Sequence, residues 1–301
     1  MVSFFPNTKH HDINKQVMLP RKEVKMGSIK VMVNGMPGNM AANIAKHILQ
    51  DGRFELIHHS LTGSEITDTE YFIDSVKITL IQPGMRNQAI NEIKQNEGLF
   101  VSVDYTHPSA VNENAEFYCT HSLPFVMGTT GGDRKQLLDT VCASSTSAVI
   151  APNMAKQIVG FQAMMEYAAT TFPDLFKGYG LEIKESHQAG KADTSGTAKA
   201  MVACFNRMGV PFSEQDIVKE RNPDVQKSRW GVPAEYLGGH GWHTYTLVSN
   251  DKTVRFEFTH NVNGRDVYSQ GTLDAILYLS KKLKDQAQGT VFTMADVLKG
   301  N

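Results

Sequence analysis

The chain has 301 residues, 41% of them hydrophobic, and a formal net charge of −1 at pH 7. It is long enough for one large or two modest domains, and its near-zero charge gives no field that would attract nucleic acid or an anionic membrane. No stretch has the uninterrupted apolar length of a membrane span. The three cysteines are too widely spaced for a metal pattern, so no metal is predicted. We therefore expect a globular protein whose partner is a small molecule.

The N-terminal residues contain basic side chains and few acids, but they are neither Arg-rich nor Ser-rich. They also lack the apolar block of a secretory signal. We interpret residues 1–27 as a loose N-terminal extension. Two locations stay open: the cytoplasm, or a plastid if the extension is the remnant of a targeting peptide.

The first predicted unit is a strand, a glycine turn and a helix, as in dinucleotide-binding folds. Residues 28–33 are the strand, 35–41 the turn, and 42–50 the helix, which has apolar residues at helical spacing. Free amides at such a helix start suit a phosphate group. The strict spacing G-x-G-x-x-G is absent, so this turn alone does not separate a nucleotide site from an ordinary connection.

A second strand, residues 54–59, ends in Ser60-Leu61-Thr62-Gly63. The end of this strand normally carries the acid that binds the ribose hydroxyls of NAD, and Glu65 comes well after it. Small polar residues leave room for a 2′-phosphate, which favours NADPH over NADH as the cofactor. No Arg follows this strand.

Further strands end in short polar or glycine-rich segments, where backbone amides can approach a ligand closely. They cover 99–103 before Asp104-Tyr105-Thr106, 124–127 before Gly128-Thr129-Thr130, and 147–150 before Ala151-Pro152-Asn153. Another strand is predicted over 76–81, with helices over 85–95 and 133–142. Regular alternation to residue 150 predicts an α/β fold with a Rossmann-type, doubly wound parallel sheet.

The second half has a different order of elements, which predicts a separate α+β domain. The expected elements are a helix over 154–171, a strand over 181–185, a short helix over 213–221, a hairpin over 242–248 and 253–260, and helices over 271–284 and 293–298. Ligands would bind in the cleft between the two domains.

The loop after residue 185 carries the residues with the most chemistry. His187 can move a proton near neutral pH, and Lys191 supplies a fixed positive charge. Ser195-Gly196-Thr197 precede a run that favours helix, and a helix start of this kind suits a carboxylate. Taken singly, each of these residues is more often a surface or capping residue.

Together these residues resemble the signature of the dihydrodipicolinate reductase family, Glu-x-His-His-x-x-Lys-x-Asp followed by Ser-Gly-Thr-Ala. Gln188 replaces the second His and one residue is missing before Ser195, and both departures resemble the plant-type branch. The resemblance extends over about residues 28–300. It includes the first glycine turn and the segments that follow the strands ending at residues 103, 127 and 150.

The resemblance implies a dinucleotide-binding domain over 28–155, a substrate-binding and oligomerisation domain over 156–264, and a C-terminal segment over 265–301 that returns to the first domain. It implies reduction of 4-hydroxy-tetrahydrodipicolinate, in the diaminopimelate route to lysine, by hydride from NADPH or NADH. A homo-oligomer, either a dimer or a tetramer, is implied as well.

The resemblance also assigns roles to residues. His187 would be the general acid, and Lys191 an electrostatic support or second proton donor. The substrate, a small dicarboxylate, would contact Thr130, Gln188, Lys191, Ser195, Gly196 and Thr197. The cofactor would contact Gly35, Met36, Gly38, Asn39, Met40, Ser60, Tyr105, Thr106, Gly128, Thr129, Thr130, Pro152 and Asn153.

Two alternatives stay open. Another two-domain nicotinamide dehydrogenase would need a catalytic Cys or a different acid–base pair in the same cleft, and no cysteine lies in such a motif. A catalytically inactive sensor of NADPH or a dicarboxylate would keep the binding residues and lose the proton donor. Its mark would be a damaged His187 and Lys191 pair, yet both residues are present.

Overall fold

The structure is a computed structural model that describes residues 27–300. The predicted extension therefore lies outside the described residues, apart from Gly27. No helix within the described part combines the length and the apolar character needed to cross a membrane.

The elements follow one another in an alternating order up to residue 150 and in a mixed order afterwards. The strands are β1 Ile29–Asn34, β2 Phe54–Leu56, β3 His59–Leu61, β4 Glu70–Ile73, β5 Val76–Ile81, β6 Val101–Asp104, β7 Phe125–Met127, β8 Ala148–Ile150, β9 Tyr179–His187, β10 Val218–Glu220, β11 His240–Ser249, β12 Arg255–Asn263 and β13 Val291–Phe292. The helices are α1 Asn39–Gln50, α2 Arg86–Glu97, α3 Val111–Thr120, α4 Arg134–Cys142, α5 Lys156–Thr171, α6 Gly196–Arg207, α7 Pro223–Val225, α8 Asp266–Lys284 and α9 Met294–Lys299.

The first sheet is parallel, with the strand order β13-β8-β7-β6-β1-β2. Its central strands are short and buried on both faces, as expected of a sheet covered by helices on both sides. One buried cluster joins the sheet to α1 and α8, and another joins it to α2, α3 and α4. The predicted doubly wound Rossmann-type sheet is thus confirmed, and β13 brings the end of the chain back to its edge.

The predicted strand over 54–59 is in fact two strands in two sheets. The amide of Ile57 still bonds the Val31 carbonyl, whereas the amide of His59 bonds the Ile57 carbonyl at 2.8 Å. This tight local turn ends β2 and moves β3 into a separate three-stranded sheet of order β3-β5-β4. The first sheet therefore keeps the phosphate-binding turn, while the small sheet carries the end of the second strand.

The second domain is built on a sheet of order β10-β9-β11-β12. Apolar side chains of β9 and β11, among them Ile183 and Tyr245, pack under α5 and α6. The helix predicted over 213–221 is wrong: only a 3-10 turn forms at Glu214–Asp216, and β10 then pairs in parallel with β9. Pairing with a strand more than thirty residues away outweighs the local preference of a polar segment.

Helix α8 returns to the first domain and packs on its sheet. Its buried Gly271 lies so close to the segment between β8 and α5 that a Cβ there would collide with the Met154 carbonyl oxygen. The same helix packs on α1, where the fully buried Ile44 and Ile48 each contribute about 1.5–3 kcal/mol of burial. The connection that leads from the first domain into α5 is therefore packed closely against the backbone of α8.

Candidate active site

Two cavities lie at the carboxyl ends of the first sheet, and they share one side chain, that of Tyr105. The larger has a volume of about 810 Å³ and is bordered by the turn at residues 35–39 and by the segments that follow β3 and β5. The smaller has a volume of about 280 Å³ and lies between Tyr105 and the loop that follows β9. A long cleft beside a compact cavity suits a dinucleotide beside a single-ring molecule.

The turn before α1 is shaped to let a ligand approach the backbone. Gly35 has a φ of +105°, and a Cβ at this position would collide with the Tyr105 carbonyl. The first amides of α1, from Asn39 onwards, have no partner inside the helix, and the first turn carries no acid. These residues line the larger cavity, so the cradle fits a pyrophosphate group.

Asp104 fixes the segment that separates the two cavities. Its buried carboxylate accepts hydrogen bonds from Tyr118 at 2.7 Å, Thr106 at 2.9 Å, Asn114 at 3.0 Å and Thr129 at 2.5 Å. A fully satisfied buried network of this kind makes its surroundings rigid. The carboxylate thereby holds the backbone on both sides of Tyr105 in place.

The Tyr105 ring is itself fixed by helix α8, which packs on the same core of the first sheet. The ring lies directly on Gly128, where any Cβ would occupy its place. Its hydroxyl donates to Thr272 Oγ1 of α8 at 2.7 Å, because the Thr272 hydroxyl is already donated to the Tyr268 carbonyl. The side chain that separates the two cavities is therefore held by α8 as well as by the first sheet.

The smaller cavity has a positive lining. Lys191 and Arg265 supply fixed positive charges, and none of the described residues that line it is an acid. Lys191 Nζ bonds the exposed Asp193 at 2.8 Å, outside the cavity wall. The lining thus combines two positive charges with the side chains of His187 and Gln188. This combination is suited to a small molecule with two carboxylates.

His187 is held as a neutral imidazole. Its Nδ1 donates to the His240 carbonyl oxygen at 3.0 Å, which leaves the lone pair on Nε2. Nε2 is buried and has no hydrogen-bond partner among the described residues. Burial lowers the pKa of His187 to about 4; the Glu185 carboxylate raises it, and the Arg221 guanidinium lowers it, but both count for less than the loss of water.

Further histidines lie behind His187. The ring of His243 is 5.0 Å from that of His187 and 4.7 Å from that of His260. Burial lowers the pKa of His243 to about 2 and that of His260 to about 4. The buried Glu185 lies 3.8 Å from His243 Nε2. The donor atoms of Glu185, His187 and His243 lie within 4.8 Å of one another, but the bound Glu185–Arg221 pair leaves no free carboxylate, and we assign no metal here.

Arg221 and Gln226 hold the loop that follows β9, a role that no local sequence pattern predicts. Arg221 pairs with the buried Glu185 and donates to the Lys191 carbonyl at 2.8 Å. Gln226 is fully buried and donates to the His187 carbonyl at 2.7 Å. The segment that begins at residue 221 thus fixes both predicted catalytic residues from behind.

The structure brings most of the predicted site residues to the two cavities. The smaller is lined by Met40, Tyr105, Gly128, Pro152, His187, Gln188 and Lys191, and the larger by Gly35, Met36, Gly38, Asn39, Tyr105 and Thr106. Sequence reasoning missed Arg265, which lines the smaller cavity, and Arg86, which lines the larger one. An arginine that reaches a cavity from a distant loop or strand has no local sequence pattern that predicts this position.

Other predicted residues do not line either cavity. Ser60 accepts from the Met36 amide, and Asn153 accepts from the Ala155 amide. Ser195 caps α6 through the Thr197 amide, while its own amide bonds Glu185. Gly196, Thr129 and the exposed Thr130 also lie outside the lining. Substrate contacts by residues 195–197 stay a prediction.

Comparison with known proteins gives a single answer. The sequence profile of the N-terminal part of dihydrodipicolinate reductase matches residues 29–154, and that of the C-terminal part matches residues 158–298. A probable chloroplastic 4-hydroxy-tetrahydrodipicolinate reductase 1 of Oryza sativa subsp. japonica is 44% identical over 272 residues, which are 90% of this chain and 79% of the relative. Chloroplastic 4-hydroxy-tetrahydrodipicolinate reductase 2 of Arabidopsis thaliana is 44% identical over 90% of this chain and 77% of its own.

A solved structure shares the fold. The dipicolinate-bound dihydrodipicolinate reductase from Paenisporosarcina sp. TG-14 aligns with a TM-score of 0.60 and 19% identity, over 89% of this chain and 98% of the other.

Proposed function

The chain belongs to the dihydrodipicolinate reductase family, and from that premise we propose that it reduces 4-hydroxy-tetrahydrodipicolinate to tetrahydrodipicolinate with hydride from a nicotinamide cofactor. The family makes the chain an oxidoreductase with a nucleotide-binding N-terminal domain. Its plant relatives carry this reductase activity in their names.

One observation carries the choice of substrate. The cavity beside the nucleotide cleft is lined by Lys191 and Arg265 and by no acid among the described residues. Lys191 pairs with Asp193 outside the cavity wall, but both cations also border the cavity, where a bound anion is attracted to them more strongly than in open water. A ring with two carboxylates offers one negative charge for each cation.

The proposed reaction removes water from the substrate and adds hydride to the conjugated ring. The cofactor, when bound, supplies the hydride. Electrons then move along the conjugated system to the ring nitrogen, which takes up one proton. We assign that proton to His187, with Lys191 and Arg265 holding the carboxylates.

A neutral His187 can act as an acid only if substrate binding changes its protonation. The substrate brings two negative charges into the cavity that this imidazole lines. Nearby negative charge favours the imidazolium, so binding should raise the pKa of His187 from about 4 toward neutrality. The buried Glu185 on the opposite side adds to this effect and makes it a positioning residue for the acid.

A coupled assay tests the proposal. A partner synthase would generate the unstable substrate from pyruvate and aspartate semialdehyde, and nicotinamide absorbance would be followed with NADPH and NADH in parallel. A reaction without the synthase is the control. Substrate-dependent oxidation is the expected result. Cofactor binding by calorimetry without oxidation of either cofactor would contradict the reductase and favour the sensor.

We also propose that the protein forms a homo-oligomer. Strand β12 is the outer edge of its sheet, and its side chains include the exposed Phe256. Unpaired backbone groups on such an edge are suited to contact with another chain. Light scattering coupled to gel filtration would give the mass: a dimer or tetramer is expected, and a monomer at micromolar concentration would contradict this.

For location we propose a plastid, because the plant relatives are named chloroplastic. Uptake of the labelled full chain by isolated chloroplasts, with protection from added protease, is the expected outcome. Complete digestion of the label would favour the cytoplasm.

A further inference from the structure

Resting on the proposed function, we propose that Arg86 binds the 2′-phosphate of NADPH and so determines which nicotinamide cofactor is preferred. Arg86 is the one Lys or Arg among the described residues that line the larger cavity. Residues from the end of the second strand, where this group is usually recognised, supply hydroxyls and an acid instead.

The pairing of the small sheet explains why the cation comes from another strand. Strands β3 and β5 run in parallel, with Leu61 opposite Ile81. The Thr62 amide also bonds the Ile81 carbonyl at 3.0 Å, so the two strands end side by side. The segment from Thr62 to Glu65 and the segment from Pro83 to Arg86 therefore border the same part of the cleft.

Arg86 is already positioned for a phosphate. Its guanidinium forms an ion pair with Glu113, and its central carbon lies 4.9 Å from the centre of the Phe117 ring. The side chain is 20% exposed, while that of Glu113 is 64% exposed. A planar guanidinium held against a ring still offers N–H groups to a second anion. A phosphate, with more charge than a carboxylate, competes well for them.

Glu65 has the opposite effect to Arg86 on the choice between NADPH and NADH. Its carboxylate folds back over Gly63, in the space that a Cβ would occupy. There it borders the cleft together with Thr62 and Ser64. A carboxylate accepts hydrogen bonds from the two ribose hydroxyls of NADH and repels a 2′-phosphate. The charge of Arg86 is therefore what allows the phosphorylated ribose to bind beside an acid.

Binding of nucleotide fragments to the full chain tests this without any catalysis. We would measure the affinities for 2′,5′-ADP and 5′-AMP by calorimetry at low and high salt, for the wild-type protein and for Arg86→Gln. We expect 2′,5′-ADP to bind about 10- to 100-fold more weakly to the variant. The affinity for 5′-AMP should change by less than about threefold. The salt dependence of 2′,5′-ADP binding should be smaller in the variant, because one charge that contacts the phosphate is lost. Glu65→Gln should strengthen 2′,5′-ADP binding.

Arg53 provides a matched control, because it also pairs with an acid, Asp51, and lies 5.5 Å from a phenylalanine ring, that of Phe54. It does not line the cleft, so Arg53→Gln should leave both affinities unchanged. If Arg86→Gln fails to fold, Arg86→Lys keeps the charge and loses the planar fork. That variant should still bind 2′,5′-ADP more weakly and 5′-AMP normally.

Several results would overturn the assignment to Arg86. They are an unchanged 2′,5′-ADP affinity in both Arg86 variants, an equal loss for the two ligands, or an original protein that binds 5′-AMP as tightly as 2′,5′-ADP. An inactive protein in the coupled assay that still shows Arg86-dependent binding would refute the proposed reductase and leave this inference standing.

Discussion

At the scale of single residues, the site depends on what surrounds each charge. His187 is neutral because it is buried, and its Nδ1 is already committed to the His240 carbonyl. Lys191 keeps its ammonium in contact with the cavity and with Asp193. The two residues should therefore fail in different ways when replaced.

The change His187→Ala should lower kcat by about 10²–10⁴, the usual effect of losing a general acid. The affinity for NADPH should change by less than about twofold, since the larger cavity is lined by other residues. Steady-state kinetics and calorimetry would measure both quantities. Equal losses of turnover and cofactor affinity would remove His187 from the acid role.

The change Lys191→Ala should weaken dipicolinate binding and turnover together, by about tenfold or more, because a charge-assisted contact is lost. Lys199→Ala is the matched control: Lys199 lies on α6, pairs with Glu214 and does not line the cavity. Inhibition constants for dipicolinate would separate the two variants. The same value for both would make Lys191 an ordinary surface residue.

At the scale of elements, the loop after β9 has its shape because β10 and the segment that follows it hold it from behind. Arg221 and Gln226 bond the carbonyls of Lys191 and His187 respectively. This arrangement requires β10 to pair with β9, so the loop is ordered by residues about thirty positions further along the chain.

The change Arg221→Met should destabilise the fold by up to about 3–5 kcal/mol, because it leaves the buried Glu185 carboxylate without its cation. Arg207→Met removes an ion pair with Glu166 that is exposed on both sides, and it should cost less than about 1 kcal/mol. Urea unfolding of both variants would give the free energies. Similar costs would show that Glu185 does not depend on Arg221.

The histidines of β9, β11 and β12 predict a loss of stability in mild acid. Their folded pKa values, about 4 for His187 and His260 and about 2 for His243, lie below the unfolded value near 6.5. Below pH 6.5 the unfolded chain therefore binds more protons than the folded chain. The stability present above pH 6.5 is lost as the pH falls toward 4, by about 1–2 kcal/mol per histidine at pH 5.

Urea unfolding at pH 7 and pH 5 would measure this loss. The change His243→Phe keeps a ring between those of His187 and His260 and removes one titrating group, so the difference between the two pH values should shrink. An unchanged difference would place the acid sensitivity elsewhere.

Local patterns were sufficient for much of the fold. Alternation and glycine turns located β1, β6, β7 and the hairpin of β11 and β12, since each signal lies within one segment. The helix over 213–221 was wrong, and the roles of Arg86, Arg221 and Arg265 were missed. The wrong helix and the missed roles all depend on contacts between distant parts of the chain, such as a strand pairing. An arginine that lines a cavity has the same local sequence features as one that faces solvent.

At the scale of the whole molecule, helix α8 contacts the first domain at two functional places: the backbone that leads from β8 into α5, and the Tyr105 hydroxyl. Thr272 Oγ1 accepts a hydrogen bond from that hydroxyl, and the neighbouring Gly271 lies against Met154. The connection between the domains and the wall between the cavities thus rest on the same turn of one helix.

The change Gly271→Ala should destabilise the protein by about 1–3 kcal/mol or more, because a Cβ would force α8 away from the Met154 backbone. Gly160→Ala in α5 is the matched control. A Cβ there would lie 3.9 Å from Leu298, so this helical glycine should gain about 0.5–1 kcal/mol. Opposite signs in urea unfolding are expected, and a neutral Gly271→Ala would show that α8 can shift without cost.

The wall formed by Tyr105 also bears on inhibitor design. Because one side chain borders both cavities, an aromatic dicarboxylate and the nicotinamide half of a dinucleotide bound at the same time would be near neighbours. Joining them through a short linker would make the second binding event intramolecular, at an effective concentration of about millimolar. Such a bisubstrate compound would gain affinity from the joining alone, and it would discriminate against dehydrogenases that bind the nucleotide but lack the cationic cavity beside it.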